Sequence, residues 1–133
     1  MERPRVVLAD DHRAILDVVA NLLAPRFDVV GMAGDGLEAL RLITALRPDA
    51  VVLDLAMPGL DGLALTARVR QIDSPPAIVM LTISADPALV EAALAGGALG
   101  YVIKARAAAD LIPAIEAALE GRRFVSAPLS RSA

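Results

Sequence analysis

Residues 6–12 read VVLADDH. Val6, Val7, Leu8 and Ala9 make the unbroken apolar run expected of a strand covered on both faces. The run stops at two adjacent acids, Asp10 and Asp11, followed by His12, the chain's single histidine. Neighbouring carboxylates repel, and beside an apolar edge water screens that repulsion poorly. A core strand that ends this way needs a positive partner at its end.

The same kind of run recurs along the chain. RVVLA (5–9), FDVVGM (27–32), AVVLDL (50–55), AIVMLT (77–82) and GYVI (100–103) read as strands rich in Val, Ile and Leu. FDVVGM is the least continuous and belongs nearer an edge. Between the strands lie amphipathic stretches. Residues 13–24 place apolar side chains at 15, 16, 18, 19, 22 and 23, a helical stripe. Helices are also predicted over 36–46, 63–72, 87–96 and 109–121. Asp35 suits the start of the second, and Asp11 suits the start of the first. Pro87 suits the first turn of its helix, and Gly96 or Gly97 its end. Pro113 is expected in the first turns of the last helix, where a missing N–H costs least. Five strand–helix pairs with short connections give an α/β fold with parallel strands and right-handed crossovers. Residues 1–121 are expected to form one domain. RRFVSAPLSRSA (122–133) loses periodicity and reads as a tail or the start of a linker.

Composition narrows the function. Of 133 residues, 56% are hydrophobic but only 2% aromatic, so helices meet the sheet through small aliphatic side chains. The formal net charge of −3 argues against a nucleic-acid surface on this domain. No cysteine is present, which excludes disulfides, thiolate metal sites and cysteine nucleophiles. No apolar run approaches the ~20 residues of a membrane helix. MERPR leads into the acids at 10 and 11 without a signal core, so a cytoplasmic location is expected. Twelve of the 13 basic residues are arginine; Lys104 is the exception.

In an open parallel sheet, ligands bind beyond the carboxyl ends of the strands. Asp10 and Asp11 end the first strand, Asp54 the third, Thr82 the fourth and Lys104 the fifth. Each has an ordinary explanation alone: a helix cap, a strand-forming threonine, a solvated lysine. Asp54, flanked by apolar residues in AVVLDLAMPG, is hardest to read as solvated. Together, three carboxylates, a hydroxyl and an ammonium converge on one edge. Oxygen-only ligands without histidine or cysteine favour a hard divalent ion, and Mg²⁺ commonly shares its shell between carboxylates and a phosphate. That points to phosphoryl chemistry. Asp54 is then the candidate nucleophile, forming an acyl phosphate, with Lys104 neutralising phosphoryl charge and Thr82 donating a hydrogen bond.

LADDH, LDLAMPGLDG, MLTISAD and GYVIKA occur in the order and spacing of the receiver domain of two-component response regulators, which the chain resembles from Arg5 to Gly121. ADDH and the ending EGRRFVS are most similar to receivers of the NarL/FixJ (LuxR-type) transcription factors. The resemblance implies a flavodoxin-like, doubly wound (βα)5 fold with a five-stranded parallel sheet in order 2-1-3-4-5. It implies Asp54 as phosphoacceptor, and Asp10, Asp11, Asp54 and the Ala56 carbonyl as holders of Mg²⁺, or Mn²⁺ in its place. Thr82 and Tyr101 would be a switch pair and Lys104 the phosphate-binding lysine. The implied partners are a sensor histidine kinase and, on phosphorylation, a second copy of the chain. Output would be transcription regulation by a DNA-binding domain, with no nucleic-acid or membrane contact by the receiver. The receiver would catalyse its own phosphorylation and dephosphorylation without turning over an external substrate.

Two positions depart from the family pattern. Ala105 stands where many receivers have proline after the lysine, so this peptide is expected to be trans and its loop displaced. Ile83 follows the switch threonine where a small residue is common, and is expected to hinder attacking water. His12 reads as a helix-start residue. Two other functions compete. A stand-alone or pseudo-receiver would act through protein contacts alone. A phosphate-ester hydrolase with an aspartyl nucleophile would need an acid two residues after Asp54, where the chain has Ala56. A nucleotide-binding fold is disfavoured because the first strand ends in acids and not in a glycine-rich loop.

Overall fold

A computed structural model describes residues 2–126. The elements run β1 (Arg5–Ala9), α1 (Arg13–Leu23), β2 (Asp28–Ala33), α2 (Gly36–Leu46), β3 (Ala50–Leu53), α3 (Gly62–Val69), β4 (Ala77–Thr82), α4 (Pro87–Ala95), β5 (Gly100–Ile103), α5 (Ala107–Leu119) and β6 (Phe124–Val125). The sheet is parallel throughout, in order β2-β1-β3-β4-β5-β6. This is the expected flavodoxin-like arrangement, with a sixth strand added beyond β5. The segment read as a tail therefore begins inside the sheet, at Phe124 and Val125. Residues 127–133 of that tail lie outside the described residues.

Side chains alternate across each strand, so each continuous apolar run feeds two cores. Val7, Val51, Leu53, Ile78 and Met80 face α2, α3 and α4, packing with Ala39, Ile43, Leu65, Val69 and Ala93. Val6, Leu8, Val52, Val79 and Val102 face α1 and α5, packing with Leu16, Leu23, Leu111 and Ile115. Full burial of each large aliphatic side chain is worth about 1.5–3 kcal/mol. β2 is the edge strand and only partly buried, as its sequence suggests.

Helix starts follow local chemistry. Asp35, Asp61 and Asp86 each accept a backbone N–H in the first turn of α2, α3 and α4. The α1 cap position belongs to His12 and not to Asp11, and no side chain caps it. α5 starts two residues before the predicted 109, so Pro113 is its seventh residue. The proline lies past the first turn and withholds the N–H that the Ala109 carbonyl would accept.

Asp110 of α5 is buried yet ionisable. Arg106 Nε and Nη2 donate to its two oxygens at 2.8 and 3.2 Å. These bonds hold the Asp110 carboxyl below its ordinary value against the opposing effect of burial, and Ser126 helps. A depressed carboxylate contributes stability that is present above its unfolded pKa and lost as pH falls through its folded pKa. Asp110→Asn is therefore expected to melt earlier at neutral pH and to lose stability less steeply between about pH 5 and 3, followed by circular dichroism.

Candidate phosphoacceptor site

The β1–β3 register pairs Ala9 with Leu53, so the next residues, Asp10 and Asp54, sit side by side. The Asp54 N–H donates to the Ala9 carbonyl at 3.0 Å, and the Asp10 N–H donates to the Ala33 carbonyl at 3.0 Å. These extensions of the ladder fix both acids at the carboxyl edge. Asp10 and Asp54 are buried, at 4% and 5% exposure. Asp11, beside them, is exposed.

Each buried carboxylate divides its oxygens between two partners. Asp10 Oδ1 accepts the His12 N–H at 2.9 Å, and Asp54 Oδ1 accepts the Ala56 N–H at 3.3 Å. Their other oxygens meet the same ammonium. Lys104 Nζ lies 2.7 Å from Asp10 Oδ2 and 3.1 Å from Asp54 Oδ2. Burial works against the Lys104 charge, but the bonds to Asp10 and Asp54 outweigh it and hold its pKa above the ordinary value. The positive partner that the sequence requires at the end of β1 is therefore, in part, this lysine.

One ligand atom each from Asp10, Asp11, His12 and Asp54 lies within 4.8 Å of the others. His12 Nδ1 is 3.1 Å from Asp11 Oδ1 and 3.4 Å from Asp10 Oδ1. His12 is a helix-start residue, as read, but its ring also faces the acids. The donor set is mainly carboxylate oxygen, which suits a hard divalent ion of the Mg²⁺ type.

Thr82 and Tyr101 lie on the neighbouring strands. Thr82 ends β4 two residues after Met80, so both side chains take the α2–α4 face, and Thr82 is 2% exposed. Its Oγ1 accepts the Ser84 N–H at 3.4 Å. The Tyr101 ring is fully buried in the core on that face, and its hydroxyl donates to the Ser84 carbonyl at 3.0 Å. Burial raises the Tyr101 pKa, the Ser84 bond opposes this, and Asp86 and Asp54 add to the rise. The phenol therefore stays a donor. Tyr101 does not fill a sheet edge, because β6 lies beyond β5. Ile83 follows Thr82 and is 80% exposed. Ala105 lies in a single 3₁₀ turn, Lys104–Arg106, that joins β5 to α5.

Sequence reasoning did not find Arg106, Asp110 or Ser126. The i, i+4 spacing of Arg106 and Asp110 was the available signal. No local pattern marks Ser126.

The family model for the response regulator receiver domain matches residues 6–116. The "Probable transcriptional regulatory protein NarL" of Mycobacterium tuberculosis is 36% identical over 130 residues, covering 96% of this chain and 60% of that protein. The chain thus spans about three-fifths of the length of that relative. A LuxR-family two-component response regulator from Aurantimonas sp. SI85-9A1 superposes with a TM-score of 0.90 at 37% identity, covering 97% of this chain and 94% of that one. The isolated receiver of RcsB from Salmonella enterica, solved with the phosphomimetic BeF3⁻, gives 0.88 at 29% identity over 98% of each chain. RcsB has also been solved as dimers bound to DNA.

Proposed function

The chain belongs to the response regulator receiver domain family, and we propose from this that it is a phosphorylation-controlled switch with Asp54 as phosphoacceptor. One observation carries the reading: a single buried-edge ammonium bridges two buried carboxylates, Asp10 and Asp54, at the carboxyl end of the sheet. A structural ion pair would need only one of those acids. An acid-rich pocket that also holds a lysine suits a phosphoryl group with its counter-ion.

In this reading an Asp54 oxygen attacks phosphorus. An acyl-phosphate bond forms, and the bond to the donor breaks. The donor is the phosphohistidine of a sensor kinase or a small acyl phosphate, and its electron pair leaves with the histidine or the carboxylate. Lys104 transfers its contact from Asp54 to the phosphoryl oxygens and offsets their charge. Thr82 Oγ1 gives up its Ser84 contact and donates to the same group. Asp10, Asp11, Asp54 and the Ala56 carbonyl would hold Mg²⁺ or Mn²⁺. Bound there, the ion screens the carboxylates and the incoming phosphoryl group from each other. Tyr101, bonded to the Ser84 carbonyl in the segment that follows Thr82, then feels the displacement of Thr82. Release of that bond alters the α4–β5–α5 face, which is offered to an output domain or a second copy. The similarity to NarL and RcsB supports transcription regulation as the output. This chain turns over no external substrate.

The test is intact-mass spectrometry after incubation with Mg²⁺ and acetyl phosphate. A gain of one phosphoryl mass is expected in the wild type and none in Asp54→Ala. No gain in the wild type with either acetyl phosphate or a kinase donor would replace this reading with a pseudo-receiver acting by contact alone.

A further inference from the structure

Arg106, Asp110 and Ser126 form a polar cluster that the proposed reaction does not use. They enclose the segment that carries Lys104. Upstream, the Ile103 N–H donates to Ser126 Oγ at 3.2 Å. Downstream, Arg106 binds Asp110 through two hydrogen bonds. Ser126 also helps to hold the Asp110 carboxyl below its ordinary value. Ser126 is 0% and Asp110 6% exposed, so water competes weakly for these bonds.

Ser126 reaches this place through β6. The Phe124 N–H donates to the Leu99 carbonyl, and the Ser126 N–H donates to the Tyr101 carbonyl, both at 2.9 Å. One hydroxyl and one carboxylate thus grip Ile103 and Arg106, the residues on either side of Lys104-Ala105. There is a physical reason for such a grip. A lysine stem has four flexible carbons, and Ala105 does not rigidify the backbone as proline would. Yet Nζ must meet two carboxylates at once, at 2.7 and 3.1 Å. Fixing the backbone just before the lysine, and tying the Arg106 side chain just after it to α5, removes freedom that would otherwise blur its aim.

We propose that Ser126 and Asp110 are positioning residues for Lys104, so that docking of β6 on β5 is part of the phosphorylation machinery. The inference rests on the role of Lys104 given above. Engagement and docking are then reciprocal: whatever loosens β6 weakens the hold of Lys104 on a phosphoryl group, and that hold tightens β6.

The experiment is a rate cycle. Initial phosphorylation rates with acetyl phosphate and Mg²⁺ are read by intact mass for wild type, Ser126→Ala, Lys104→Ala and the double variant. Ser126→Ala should slow the wild-type background about fivefold, the equivalent of one lost hydrogen bond. In the Lys104→Ala background the same change should matter less than about twofold, because its effect passes through the lysine. Arg106→Gln, at a half-exposed side chain, should give the same lysine-dependent slowing and stands in if Ser126→Ala does not fold. Equal slowing in both backgrounds would assign the cluster to stability alone and overturn the proposal, as would no slowing in either. A wild-type rate for Lys104→Ala would overturn the role of the lysine and the positioning with it. Absence of phosphorylation in the wild type would overturn the proposed function first.

Discussion

Lys104→Ala is expected to move metal binding and phosphoryl transfer in opposite directions. The ammonium occupies Asp10 Oδ2 and Asp54 Oδ2 at 2.7 and 3.1 Å, so a divalent ion must compete with it for the same carboxylates. Removing it leaves Asp10 and Asp54 with no lysine or arginine in contact among the described residues. Mg²⁺ affinity should rise about tenfold, the equivalent of roughly 1.4 kcal/mol at an edge site only partly reached by water. Phosphorylation should fall about 10²- to 10³-fold, the usual cost of losing one fixed charge or donor at the reacting group. The protein without added ion should lose about 2 kcal/mol of stability, less than the 3–5 kcal/mol of a deeply buried broken pair because the ammonium keeps some contact with water. Added Mg²⁺ should restore much of that loss by binding the folded state. Titration calorimetry, phosphorylation rates and thermal melts with and without Mg²⁺ check the three parts. A Mg²⁺ affinity that falls along with the rate would show that the lysine organises the acids and does not compete for them.

Gly62→Ala should destabilise the protein although glycine-to-alanine at a helix start ordinarily helps. Alanine restricts the unfolded chain and is the better helix former, which by itself favours the substitution by about 0.5–1 kcal/mol. Here a Cβ at Gly62 would stand 2.5 Å from the Asp54 carbonyl oxygen and 2.8 Å from the Leu55 Cα. Both are backbone atoms and cannot rotate away. The Gly62 N–H also donates to the Leu55 carbonyl at 2.9 Å, which locks α3 against the loop after β3. Relief requires a shift of the segment that carries Asp54. A net loss of about 1–3 kcal/mol is expected, the range for overpacking, together with slower phosphorylation. Gly36→Ala should be at least as damaging, because its Cβ would fall 1.8 Å from the Leu60 carbonyl oxygen. Gly34→Ala is the control: nothing lies within 4 Å of the added carbon, so its melting point should hold or rise slightly. If all three variants melted alike, backbone propensity and not contact would govern these positions.

The strands were legible because burial on both faces leaves no polar position inside a run such as Val6 to Ala9. The order of the first five also came through, although only by resemblance to a known family. The site's acids and lysine were legible for a related reason. Parallel strands joined by helices all end at one edge, so the residue after each apolar run is automatically a neighbour of the others. His12 and Asp11 were harder. Which of them takes the α1 cap depends on a turn of the chain, and the Asp10 carboxylate settles it by accepting the His12 N–H.

What the sequence by itself determined was the alternating α/β pattern, the placement of Asp10, Asp11, Asp54, Thr82 and Lys104 at strand ends, and the need for a cation among the acids. Tertiary structure alone decided that Lys104 reaches Asp54, 50 residues earlier in the chain, and Asp10 with it, that Tyr101 turns inward to the Ser84 carbonyl, and that Phe124-Val125 adds a sixth strand. A two-residue strand carries no period to read, and its partner, β5, lies more than 20 residues earlier. Gly62 makes the same point in energy: local propensity favours a side chain there, and a carbonyl from β3's end forbids it. Periodicity reports which face of an element is apolar. The sign of a contact between distant segments depends on distances that exist only after the chain has closed on itself.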